Sequence, residues 1–170
     1  LGDRPVRSVY IGQLAAARGR AALGVYGLGS CVALILFDPG QGLGGLAHVL
    51  LPGPKPAGAA PGDLPAKYCT DALAALRAEL AAMGAKERAL RAALVGGARL
   101  FQSEVDLDQG IGTRNVEAIR LLLKRERIAL AAEETGGEQG RTVVFELPEC
   151  RLRVRTLRGG WTERELREGG

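Results

Sequence analysis

The chain has 170 residues, 46% of them apolar, with 23 Lys and Arg against 19 Asp and Glu and a formal charge of +4. That length and balance fit a single domain with its own core. No run approaches the ~18 apolar residues of a membrane span, and no basic cluster interleaved with aromatics marks a nucleic-acid surface.

Residues 6–11 and 21–26 are short, apolar-leaning and strand-like. Gly27-Leu28-Gly29-Ser30-Cys31 is a tight turn that opens onto the apolar run 32–37, and Asp38-Pro39-Gly40-Gln41-Gly42 is dense turn chemistry. A strand is expected over 46–51, then a Pro/Gly/Ala-rich loop over 52–65. Cys69, Leu73, Leu76, Leu80 and Met83 form one apolar stripe of a helix from about residue 65 to 83, with Pro65 in its first turn and Gly84 as its stop. Residues 91–95 read as a strand ending in Gly96-Gly97. A loop over 101–112 follows, then a second helix over about 113–127 that Thr113 can cap. Strands follow over 128–132, 141–147 and 150–157, and in the last of these Arg151, Arg153 and Arg155 alternate with apolar residues as a solvated face. Residues 1–157 are expected as one domain and 158–170 as a weakly ordered tail. Many strands with two substantial helices make an α+β domain, a mixed sheet or sandwich with the helices on one side.

The three cysteines, at 31, 69 and 150, form neither a CxxC nor an even disulfide framework, and the single histidine leaves no room for a Cys/His zinc site. The opening residues contain no apolar segment of signal-peptide type. Together these point to a reducing cytoplasmic setting, no membrane insertion and no metal or organic cofactor. A thiol needs a base or a positive field to become a strong nucleophile. Any Cys–His pair must use His48, and geometry selects Cys31. In a hairpin centred between Pro39 and Gly40, positions 31 and 48 are opposite each other on one face. Gly29 and Ser30 bring bare backbone up to the sulfur, where N–H groups can receive an oxyanion. The competing reading is structural: an isolated cysteine at a strand start is commonly a small buried hydrophobe. Cys69, on the helix stripe, and Cys150 are expected to pack rather than react.

Several segments in order resemble the CheD family of bacterial and archaeal chemotaxis proteins. They are Leu28-Gly29-Ser30-Cys31-Val32, Phe37-Asp38-Pro39, the run Gly44-Gly45-Leu46-Ala47-His48 through Pro52, Lys67-Tyr68, Gly96-Gly97-Ala98 with Phe101, Ile111-Gly112-Thr113-Arg114-Asn115, and Gly136-Gly137 with Gly140-Arg141. The resemblance spans residues 9–157. It implies a deamidase that converts glutamines of methyl-accepting chemotaxis receptors to glutamate and binds the phosphatase CheC. It also implies an α+β sandwich related to bacterial toxin deamidases. Its nucleophile and histidine motifs fall on Cys31 and His48, and its glycine-rich and Thr113–Asn115 motifs make Gly29, Ser30, Thr113 and Asn115 oxyanion or pocket candidates. Capping of the second helix explains the Thr113 segment equally.

One departure is informative. The family's third catalytic residue is a threonine six positions before the cysteine, where this chain has Val25. Valine cannot accept a hydrogen bond from imidazole, so the group that orients His48 is missing, moved, or a backbone carbonyl. A catalytically weak regulatory partner of CheC is the rival reading, and a cysteine hydrolase of another amide is a third.

Overall fold

The computed structural model describes residues 4–100 and 110–167; Phe101 of the family-like segment lies outside them. The described residues form two five-stranded sheets, two α-helices and a short 3-10 turn at Glu87–Ala89. The first sheet has the order β1-β3-β8-β9-β10, from Val6–Ser8, Ala21–Leu28, Arg141–Leu147, Arg151–Thr156 and Trp161–Glu165. The second runs β2-β5-β4-β6-β7, from Leu14–Arg18, Leu43–Val49, Val32–Asp38, Arg91–Gly96 and Ala129–Thr135. Helices α1, Cys69–Ala82, and α2, Ile111–Arg125, complete the fold. No helix among the described residues is long and apolar enough to cross a membrane.

The burial pattern explains the layering. β4 is buried along its whole length, so both of its faces must be covered, which is why it reads as a continuous apolar run. One face, with Ala33, Ile35 and Phe37, packs on the first sheet through Leu23, Val143 and Phe145, and the Phe37 and Phe145 rings lie 5.4 Å apart. The other face, with Leu34 and Leu36, meets Leu73, Leu76 and Leu80 of α1 and Ile119 and Leu123 of α2. Each such side chain fully buried stabilises the fold by roughly 1.5–3 kcal/mol. The result is sheet, sheet and helices in three layers, an α+β sandwich with both helices on one side.

Several details depart from the sequence reading. β2 lies in a stretch not read as a strand, because its Ala-rich sequence carries almost no alternation. α1 begins at Cys69 rather than near residue 65. The Lys67 carbonyl, which a helix start would have turned inward, instead accepts the N–H groups of Leu50 and Leu51 at 3.2 and 2.8 Å. α2 starts at Ile111 with Gly110 as its N-cap, so Thr113 lies inside the first turn and caps nothing. Within the stretch expected as a weakly ordered tail, residues 161–165 form β10, paired antiparallel with β9. That strand also corrects the solvated-face reading for Arg153, while Arg155 is exposed and Arg151 half-buried. Arg153 is only 7% exposed, lying over the Trp161 ring at 5.0 Å with its Nε 2.9 Å from Glu163.

Candidate active site

The β4–β5 hairpin does not have the expected register. Ala33, not Cys31, is opposite His48, and the ladder closes at Asp38 opposite Leu43. The loop is the four residues 39–42 rather than a tight Pro-Gly turn, because Asp38 Oδ1 accepts the N–H groups of Gly40 and Gln41 at 3.0 and 3.2 Å. A two-residue Pro-Gly turn would splay the strands. The shift is by two residues, and side chains alternate with period two, so it changes who is opposite whom but not which face each occupies. Cys31 therefore stays on the inter-sheet face with Ala33 and His48, as a diagonal rather than a direct neighbour of the histidine.

Both side chains are nearly enclosed, Cys31 8% and His48 5% exposed. Burial disfavours the charged form of each. It pushes the Cys31 thiol above its ordinary pKa, opposed by the residue's own N–H, and holds His48 below the ordinary imidazole value, opposed by its bond to Val9. Burial thus works against charge on both side chains.

His48 is gripped by the segment after β1. Its Nδ1 lies 3.1 Å from the Val9 carbonyl. A carbonyl only accepts, so Nδ1 carries the proton and Nε2 holds the lone pair. The His48 backbone is tied at both ends, with Gly12 N–H donating to its carbonyl and its own N–H donating to Gln13, each at 2.9 Å. Val9 is itself anchored by its N–H on the Gly24 carbonyl at 2.8 Å. The orienting group is thus a backbone carbonyl, which no side-chain motif could have revealed. Val25 is 2% exposed in the inter-sheet core. The substitution Val25→Thr is expected to leave the turnover rate within about twofold and to lower stability by about 1–2 kcal/mol, since it buries a hydroxyl where packing was apolar. Steady-state rates and a thermal melt check both; a clear gain in rate would show that the Val9 carbonyl does not suffice.

The turn before Cys31 is held by its carbonyls. Gly29 O accepts from Ala98 N–H at 2.9 Å, Cys31 O from Gly97 N–H at 2.8 Å, and Ser30 O from Asn115 Nδ2 at 3.2 Å. Glycines make this approach possible. A Cβ on Gly96, which has φ +114°, would meet the Cys31 carbonyl at 2.4 Å, and one on Gly112 would meet the Gly97 carbonyl at 2.6 Å. Ser30, Thr113 and Leu100 line a cavity of about 180 Å³ at the start of α2. Gly27, Gly29, Arg141 and Arg155 line a second of about 260 Å³, with Leu100 between the two. Of the residues singled out in the sequence, Ser30 and Thr113 line the first cavity, Gly29 lines the second, and Asn115 bonds the Ser30 carbonyl, while Cys31 and His48 line neither and share the buried inter-sheet face beside them. Val9 and Gly12 were missed as parts of the site because both act through backbone atoms. Cys69 and Cys150 lie elsewhere, 1% and 0% exposed, each pointing its thiol at a carbonyl, with Cys150 pushed up to about 11 by burial.

Residues 50–156 match the family model described as CheD chemotactic sensory transduction. The chain is 40% identical over 160 residues to the chemoreceptor glutamine deamidase CheD of Thermotoga maritima, covering 93% of this chain and 96% of that protein. The chain belongs to the CheD family. It is also 40% identical over 138 residues to the chemoreceptor glutamine deamidase CheD of Halalkalibacterium halodurans, covering 81% of this chain and 85% of the relative. The matched segment of the family model begins after His48, whereas the 160-residue match to the Thermotoga maritima relative spans both Cys31 and His48.

Proposed function

We propose that this protein is a chemoreceptor glutamine deamidase with Cys31 as nucleophile and His48 as general base. The observation that carries the reading is the Val9 carbonyl on His48 Nδ1, which leaves Nε2 as the basic nitrogen on the face shared with Cys31, the least buried of the three cysteines. Nε2 takes the thiol proton as Sγ attacks the glutamine carboxamide carbon. The carbonyl oxygen becomes an oxyanion received by N–H groups of the turn at Ser30 and Cys31, whose carbonyls are tied away from it. The C–N bond then breaks, with the imidazolium proton passing to the departing ammonia. Water, deprotonated by Nε2, attacks the resulting thioester, releasing glutamate and restoring the thiol. The names of the relatives support a chemoreceptor cytosolic domain as substrate, and the family resemblance supports CheC as a partner, a cytoplasmic location and kinship with toxin-type cysteine deamidases. Incubation with a receptor cytosolic domain should add about one dalton per converted glutamine in a mass spectrum. Unchanged receptor with CheC still bound would favour the regulatory-partner reading.

The burial of His48 sets the sign of the pH dependence. Burial lowers the His48 pKa, so the base stays unprotonated to lower pH than free histidine. The acid limb of kcat/KM should therefore have its midpoint below about pH 6.5. Stability follows with the same sign. Below about pH 6.5 the unfolded chain binds a proton at this residue that the folded chain resists, so His48 removes stability as pH falls toward its folded pKa. An acid limb centred above that value would show that burial does not govern the titration of His48.

A further inference from the structure

The Cys31 and His48 strands are joined, past the end of their ladder, by one buried side chain. β4 and β5 stop pairing at Val32 opposite Val49. By the alternation of an antiparallel ladder, Cys31 and Leu50 come next as a non-hydrogen-bonded position, and the Cys31 carbonyl bonds Gly97 N–H on the β6 side. The hydrogen-bonded rung after that would join Ser30 and Leu51, but the Leu51 N–H, like that of Leu50, donates to the Lys67 carbonyl. Asn115 of α2, 0% exposed, bridges that opening. Its Nδ2 donates to Ser30 O at 3.2 Å and to Leu50 O at 3.0 Å. Both partners are carbonyls, so the orientation of the amide is fixed and Oδ1 points away. That oxygen is buried with no hydrogen-bond partner among the described residues. An apolar side chain of the same shape would remove that acceptor but would leave the Ser30 and Leu50 carbonyls without their shared donor.

We infer that Asn115 is a positioning residue, a clasp that uses both amide hydrogens to hold the residue before the nucleophile and the strand end after the base at a fixed separation. It touches neither reacting side chain. It acts by keeping the thiol and imidazole in reach of one another where the sheet no longer does so. The inference rests on the proposed deamidation.

The test compares Asn115→Leu, which keeps the branched shape without donors, and Asn115→Ala with Ile119→Ala, one turn further along the same helix and also 0% exposed. Each full-length variant is assayed for kcat and KM on a receptor cytosolic domain and for iodoacetamide alkylation of Cys31. Both Asn115 variants should lose about a hundredfold in kcat with KM within about threefold, the signature of misplacement by about an ångström. Cys31 alkylation should fall about tenfold as His48 moves out of reach. Ile119→Ala should melt lower yet keep both rates within about threefold. Wild-type rates in Asn115→Leu, or equally deep losses in Ile119→Ala, overturn the clasp. Should Asn115→Leu not fold, Asn115→Ala against Ile119→Ala decides by the same criteria. Should wild type convert no receptor glutamine, the proposed function falls and the alkylation rates alone decide the clasp.

Discussion

Cys31→Ala is expected to abolish glutamine conversion, a loss of at least about a thousandfold, because no other thiol can take its place. Cys69 and Cys150 lie buried away from the site, and the shift of Cys150 to about 11 leaves it almost wholly protonated at neutral pH. His48→Ala should cost roughly a hundred- to a thousandfold, less than loss of the nucleophile, since a thiol retains intrinsic reactivity without its base. The mass gain of the receptor domain measures both. Iodoacetamide should label Cys31 of the wild type before the other two cysteines, and His48→Ala should narrow that lead. Equal labelling of all three would mean that Cys31 is an ordinary thiol and that the chemistry lies elsewhere.

Gly112→Ala is expected to damage folding and activity together. Its Cβ would lie 2.6 Å from the Gly97 carbonyl oxygen and 2.8 Å from that of Ala98, backbone atoms that cannot step aside as a side-chain tip can. Either α2 retreats from the β6 end or the 97–98 segment shifts, and that segment holds the carbonyls of Gly29 and Cys31. Overpacking of this kind costs about 1–3 kcal/mol. Because α2 also carries Asn115, the shift should lower kcat by about tenfold to a hundredfold. The companion substitution Gly110→Ala meets nothing within 4 Å of the added carbon among the described residues and should cost no more than about 1 kcal/mol as a change at the N-cap. Thermal melts and steady-state rates separate the two; equal tolerance of both substitutions would show that α2 is free to move without consequence for the site.

Composition and local pattern determined the class of fold, the apolar stripe of α1, the buried run of β4, and the candidacy of Cys31 and His48. These follow from properties carried by neighbouring residues: periodicity, turn chemistry and the scarcity of thiols and imidazoles. The expected opposition of Cys31 and His48 failed by two residues, and because side chains alternate with period two each still occupies the face expected for it. What only the tertiary structure decided has a common cause. The orienting group of His48 is the carbonyl of Val9, present at every residue and invisible in a side-chain code. β2 exists because β5 pairs with it, not because its alanines favour a strand. β10 and the burial of Arg153 depend on one strand covering another. The role of Asn115 depends on two carbonyls 85 and 65 residues away in sequence, brought together only when α2 docks over the open end of the ladder.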